Sequence, residues 1–125
     1  MSECSDSNPD DGGGRAPTVS IGLPVYNGEA TLAESLDSVL AQTFPDFELI
    51  VCDNASTDGT AEIARDYAKR DERIRYHRAE RNLGAAPNFN RSFELARGEY
   101  FKWHAADDLI RPGFLEACLP PLRER

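Results

Sequence analysis

Two polar pairs stand directly after apolar runs of strand character. Asp53-Asn54 follows Phe47–Cys52 (FELIVC), and Asp107-Asp108 follows a run in which Tyr100, Phe101 and Trp103 suit a short buried strand. A third run, Thr18–Pro24 (TVSIGLP), leads into Val25-Tyr26-Asn27-Gly28. Carboxylate oxygens favour hard divalent cations and share them with phosphate oxygens. An amide offers a donor and an acceptor at once, and a tyrosine ring can stack on a flat base. Such a set suits a nucleotide bound through a metal. Tyr26 would stack, Asp53 or Asn54 would hydrogen-bond the base edge, and Asp107 would hold Mg²⁺ or Mn²⁺. Each has a plainer reading beside it. Tyr26 equally fits a half-buried core tyrosine, and paired aspartates often open a helix. Ser56-Thr57-Asp58 reads as a helix cap, and His104 as a packed strand residue.

Bringing three strand ends to one edge requires a parallel sheet, and the intervening segments supply its crossovers. From Ala30 to Ala41, Leu32, Ala33, Leu36, Val39 and Leu40 recur at helical spacing. A second helix over Thr60–Arg70 packs through Ile63, Ala64, Tyr67 and Ala68, and Arg73–His77 forms a third strand. After the polar loop Arg78–Ala86, Pro87 sits in the first turn of a third helix. Phe89, Phe93 and Ala96 mark the apolar face of that helix, and Gly98 stops it. A last short helix starts at Pro112, and Pro120-Pro121 are expected to cut it off. The order β-α-β-α-β-α-β with continuous apolar strands predicts an α/β, Rossmann-like parallel sheet. Helices cover both of its faces, joined by right-handed crossovers. Ligands bind such sheets at the carboxyl edge.

Composition narrows the function classes. At 125 residues the chain holds one modest domain. Residues 1–16 have nothing to bury and are expected to form a disordered acidic tail ahead of a domain over 17–125. Gly12-Gly13-Gly14 precedes the first strand, whereas a phosphate-binding glycine turn follows a strand and opens a helix, so it reads as linker. A net charge of −8 argues against binding a nucleic-acid backbone, which needs a basic stripe. Cys4, Cys52 and Cys118 are odd in number and widely spaced, as expected of reduced thiols. No apolar run is long enough to span a bilayer and no signal-peptide core opens the chain. The expected location is cytoplasmic, with room for peripheral attachment at the inner face of the membrane.

VSIGLPVYN, FELIVCDNASTDGT, the Asn82-Leu83-Gly84 loop, FELARGEY and the acidic turn, in that order and spacing, resemble the family 2 glycosyltransferases of the GT-A fold. The resemblance runs from about Pro17 to Pro112. It implies inverting transfer of a sugar from a nucleotide diphosphate, UDP- or GDP-linked, to an acceptor hydroxyl in polysaccharide, glycolipid or glycoprotein assembly. By the same resemblance Pro24 and Tyr26 line the base pocket, Asp53 and Asn54 occupy the paired-acid position, and Asn82 reaches the base. The family's metal-binding DxD falls on Ala105-Ala106-Asp107, followed by Asp108, so Asp107 and Asp108 are the metal candidates and Asp107 also a nucleotide contact.

Two departures stand out. Ala105 replaces the first DxD acid, and the amide Asn54 replaces the second acid after the second strand. The family's general base and acceptor platform are expected beyond Arg125. That makes this chain the donor-binding half, truncated after the DxD-equivalent turn. The alternatives are a non-catalytic nucleotide-sugar-binding module and a different α/β nucleotide enzyme, such as a nucleotidyltransferase or dehydrogenase. The last is disfavoured because no glycine-rich turn follows the first strand. An uncovered parallel edge promotes self-association, so the chain is expected to form a homo-oligomer or to need a separate C-terminal half. A clean monomer in sedimentation at high concentration would contradict that expectation.

Overall fold

The computed structural model describes residues 16–123, with side chains to residue 118. Cys4, the glycine run and the rest of the expected tail before Ala16 lie outside the described residues. The elements are β1 Val19–Val25, α1 Leu32–Leu40, β2 Phe47–Asp53, α2 Thr60–Arg70, β3 Ile74–Arg78, α3 Ala85–Glu94, β4 Tyr100–Trp103 and α4 Phe114–Arg123. The strands form one parallel sheet in the order β3-β2-β1-β4. The order reverses between β1 and β4, and a reversal of this kind opens a crevice at the carboxyl edge.

The register shows how wide that opening is. β1 pairs with β2 along its whole length, Val19 to Val25, but with β4 only from Val19 to Gly22. Successive residues of a strand point their backbone groups to opposite neighbours. The carbonyls of Thr18 and Gly22 accept from Tyr100 and His104 on the β4 side, so Pro24 also faces that side. β4 has already ended there, and the missing N–H of Pro24 leaves no ladder bond unmade. Pro24 therefore does not end the strand, which continues through Val25.

One face of the sheet packs on α1 and α2. Ile21, Leu23, Leu49 and Val51 meet Leu32, Leu36, Val39 and Ala64, all fully buried. Burying each large aliphatic side chain contributes about 1.5–3 kcal/mol. The other face packs on α3 differently from the expected Phe89–Phe93 stripe. The buried residues of α3 are Asn88 and Ser92, while Phe89 and Phe93 are 42% and 56% exposed. Gly22 explains the choice: a Cβ there would lie 2.6 Å from Ser92 Oγ and 2.7 Å from the Phe101 ring, so only a small side chain fits above it. Phe89 and Phe93 instead join Phe101 and Trp103 in an aromatic cluster with centroids 5.1–6.4 Å apart. β4 is likewise not the buried strand expected. It has a neighbour on one side only, and Trp103 is 46% exposed.

α4 also departs from expectation, running through Pro120-Pro121 to Arg123. The two prolines withhold N–H groups from carbonyls one turn back, at Glu116 and Ala117. Both of those residues are exposed, so water can satisfy the freed oxygens.

At the amino edge, Glu48 ties three elements together. Its carboxylate, 3% exposed, accepts from Ser20 Oγ, from Arg97 N at 2.8 Å and Nε at 3.0 Å, and from Arg75 Nη1 at 2.8 Å. Burial opposes its charge, but the Ser20 hydroxyl, the Arg97 backbone and Arg75 outweigh burial and hold the carboxyl below its ordinary value of 4.5. A depressed carboxyl adds stability above its unfolded-state value and loses it as pH falls through the folded value. Glu48→Gln should therefore lower stability in urea at pH 7 by roughly 1–3 kcal/mol, leaving two arginines short of a partner. It should also flatten the decline of stability below pH 4.5. An unchanged acid limb would contradict this role.

Candidate functional site

The reversal point holds a cleft of about 380 Å³. Pro24, Val25 and Tyr26 form one wall, Asn54, Asn82 and Gly84 a second, and Ala85, Asn88 and Phe89 the third. None of these side chains is charged. Tyr26 is 48% exposed, so its ring stands open at the mouth. Four residues expected at the site (Pro24, Tyr26, Asn54 and Asn82) thus line one cleft. Asp53, Asp107 and Asp108 do not line it.

Asn54 organises the second wall. Its Oδ1 accepts from Leu83 N at 2.8 Å, and its Nδ2 donates to Asn82 Oδ1 at 3.0 Å and to Gly84 O at 3.1 Å. Asn82 Oδ1 accepts in addition from Gly84 N at 2.8 Å. Gly84 precedes α3 with φ +94°, a conformation that disfavours any Cβ. The loop between β3 and α3 is therefore fastened to the end of β2 through one buried amide.

Asp53 works beneath the surface. It is fully buried, with Oδ2 accepting from Tyr76 Oη at 2.6 Å and Arg78 Nη1 at 3.2 Å, and Oδ1 accepting from Ser56 N at 2.9 Å. Burial and the Asp53 carboxylate push the Tyr76 phenol up to about 12. Asp53 shapes the turn that follows β2. In that turn Ala55 takes φ +64°, costing roughly 1 kcal/mol for a residue with a Cβ.

The turns after β1 and β2 are laced together. Asn27 N donates to Ser56 Oγ, Thr57 N to Asn27 Oδ1, Gly28 N to Thr60 Oγ1, Glu29 N to Asp58 Oδ2 and Gly59 N to Glu29 Oε1, at 2.8–3.2 Å. Asp58 also accepts from Thr60 N at 2.9 Å, a bond that closes the turn ahead of α2. Ser56 and Thr57 hold the neighbouring turn, and α2 has Gly59 as its N-cap with no side-chain cap bond, so the expected helix-cap role falls to none of the three residues. Sequence reasoning missed this lacing. Its trace is the run of short hydroxyl, amide and acid side chains in both turns.

The acidic turn after β4 is anchored to α1. Thr31 Oγ1 donates to Ala106 O at 3.0 Å, and Ser35 Oγ to Ala105 O at 3.2 Å. His104 Nε2 lies 2.8 Å from Ser35 Oγ and 3.1 Å from Asp108 O. It is 2% exposed, and burial followed by nearby Lys102 lowers its proton affinity, as fits a packed neutral residue. Ser35 gave itself away in the sequence as a polar residue inside the Leu32–Leu36–Val39 stripe. Asp107 and Asp108 are exposed, and neither carboxylate is hydrogen-bonded or ion-paired to another described residue. Among the described residues no three or more His, Cys, Asp or Glu gather as a ready-made metal cage. Among those residues Cys52 and Cys118 form no disulfide, and no helix is long and apolar enough to cross a membrane.

A family model described as Glycosyl transferase family 2 matches residues 20–125. EpsE of Bacillus subtilis (strain 168), named as a glycosyltransferase, is 43% identical over 101 residues, 80% of this chain and 36% of EpsE. Chondroitin synthase of Escherichia coli is 34% identical over 110 residues, 88% of this chain and 16% of the synthase. The crystal structure of S. aureus TarS 1–349 in complex with UDP superposes with a TM-score of 0.80 at 30% identity, covering 86% of this chain and 32% of that one. Mannosyltransferase PcManGT from Pyrobaculum calidifontis, in complex with GDP-Man and Mn²⁺, superposes at 0.69 with 31% identity, covering 75% and 28%. The chain spans well under half the length of each of these proteins.

Proposed function

The chain belongs to glycosyl transferase family 2 and has its GT-A fold, and we propose that it is the nucleotide-sugar-binding portion of an inverting glycosyltransferase. The observation that carries this reading is the uncharged cleft at the strand reversal, with Tyr26 at its mouth and amides along one wall. Its likeness to a protein crystallised with UDP supports the same reading. In it the Tyr26 ring stacks on the base and Pro24 closes the floor beside it. Asn82, whose Oδ1 is already occupied by two donors, turns its Nδ2 to the base as a donor.

The diphosphate would lie toward the acidic turn. Asp107 and Asp108 fit Mg²⁺ or Mn²⁺ in donor chemistry, offering hard oxygens with no competing partner among the described residues, while diphosphate and water would complete the shell. A cation bound there would neutralise charge on the departing nucleotide. Thr31, Ser35 and His104 hold the turn that presents these carboxylates. Inverting transfer also needs a group that takes the proton of the acceptor hydroxyl. In this reading that group, and the acceptor platform, belong to a part of the protein outside this chain, acting in polysaccharide or related assembly on the cytoplasmic side. The same part, or a second copy, would cover the open β4 edge. Ala105, standing where the first DxD acid is expected, favours a second reading as a non-catalytic nucleotide-sugar-binding module. Turnover by a longer chain would separate the two.

Calorimetric titration with UDP and GDP, each with and without Mn²⁺, tests the proposal. Saturable binding of one nucleotide is expected. It should be strengthened by Mn²⁺ and weakened roughly ten- to hundredfold by Asp107→Ala, the loss of one charge-assisted contact. Binding indifferent to both Mn²⁺ and Asp107 would overturn the metal assignment, and no binding of either nucleotide would overturn the donor-cleft reading.

A further inference from the structure

Asn54 stands where the resembled family carries an acid, and its surroundings give the amide a task that no acid can perform. Both hydrogens of Nδ2 are already directed at acceptors inside the protein, Asn82 Oδ1 and Gly84 O. Its Oδ1 takes the Leu83 N–H, and its backbone N–H pairs with Val25 O. The residue is 3% exposed. A side chain with both donors spent on the protein has none left for a base. What it does instead is fix three consecutive residues of the loop that forms one wall of the cleft.

We propose that Asn54 is a positioning residue, a clamp that shapes the Asn82–Gly84 wall, and that base choice is made by other groups. This rests on the nucleotide-cleft reading. The chemistry explains why an amide stands here. A carboxylate could keep the Leu83 bond, but its second oxygen would face Asn82 Oδ1 and Gly84 O, acceptor against acceptor. The wall would then come away from β2, taking Asn82 and the start of α3 with it. The clamp also accounts for the orientation of Asn82, since two donors hold its Oδ1 and leave its Nδ2 outward.

Asn54→Asp tests this with UDP and GDP as probes and amide exchange as a second readout. The variant should weaken whichever nucleotides bind the wild type by a common factor of about tenfold, leaving their ratio within about twofold. Exchange of the Leu83 and Gly84 amides should quicken by about tenfold or more. As pH falls through the carboxyl range, the introduced carboxyl group regains an O–H donor, and affinity relative to the wild type should recover. Asn82→Ala breaks the clamp from its exposed side, where the core is untouched, and should quicken Gly84 exchange as well. Asn82→Asp keeps both acceptor bonds and should leave that exchange slow. A UDP-to-GDP ratio shifted about fivefold or more by Asn54→Asp would make Asn54 a base contact and overturn the proposal, as would unchanged amide exchange in Asn54→Asp and Asn82→Ala. If the wild type binds neither nucleotide, the cleft reading fails by itself, and the exchange rates still decide whether the clamp exists.

Discussion

The place where β4 stops governs the rest of the carboxyl edge. β4 pairs with β1 for four residues, while β1 runs on beside β2 for three more. The stretch Leu23–Val25 therefore has a strand neighbour on one side only. Pro24 is tolerated in mid-strand only because its absent N–H faces the side where no strand pairs with it. The cleft is the volume left beside this unpaired stretch, closed from above by the loop before α3 and by the first turn of α3 itself.

An opening of this kind would be loose if its walls were only turns. Here each wall is tied by buried or reciprocal hydrogen bonds to a neighbour far away in sequence. Asp53 braces the turn after β2 from below, Asn54 clamps the loop before α3, and the turns after β1 and β2 hold each other. Ser35 and His104 fasten the acidic turn to α1. Side chains fixed by such partners lose little further freedom when a ligand arrives, the condition for a preorganised site. Ala55, kept at positive φ, shows that the surrounding bonds outweigh a local cost.

Much of this was legible in the sequence, and the physical reason is locality. β-branched runs, helical periodicity and strand-end polar pairs are local signals, and they placed every strand and helix in order. They also brought Pro24, Tyr26 and Asn54 to one edge, and the family resemblance added Asn82. The misses have a different character. Phe89 and Phe93 looked like the buried stripe of α3, but Gly22, far away on β1, admits only Ser92 beneath the helix. Pro120-Pro121 looked like a stop, but the carbonyls they release lie on exposed residues. Asp53 and Asn54 looked alike in the sequence. Tyr76 and Arg78 on β3 claim the first, and the loop before α3 claims the second. Partners distant in sequence decide such roles, and no local pattern announces them.

If the unpaired end of β1 and the clamped loop form a nucleotide site, a bound nucleotide must perturb both. Amide chemical shifts recorded while UDP or GDP is added read that perturbation residue by residue. Saturable shifts are expected at Tyr26, Asn54, Leu83 and Gly84 for at least one nucleotide, with the Glu48 end of the sheet unmoved. Shifts centred elsewhere, on the aromatic face of α3 and β4 or at the amino edge, would refute a nucleotide site at the strand reversal.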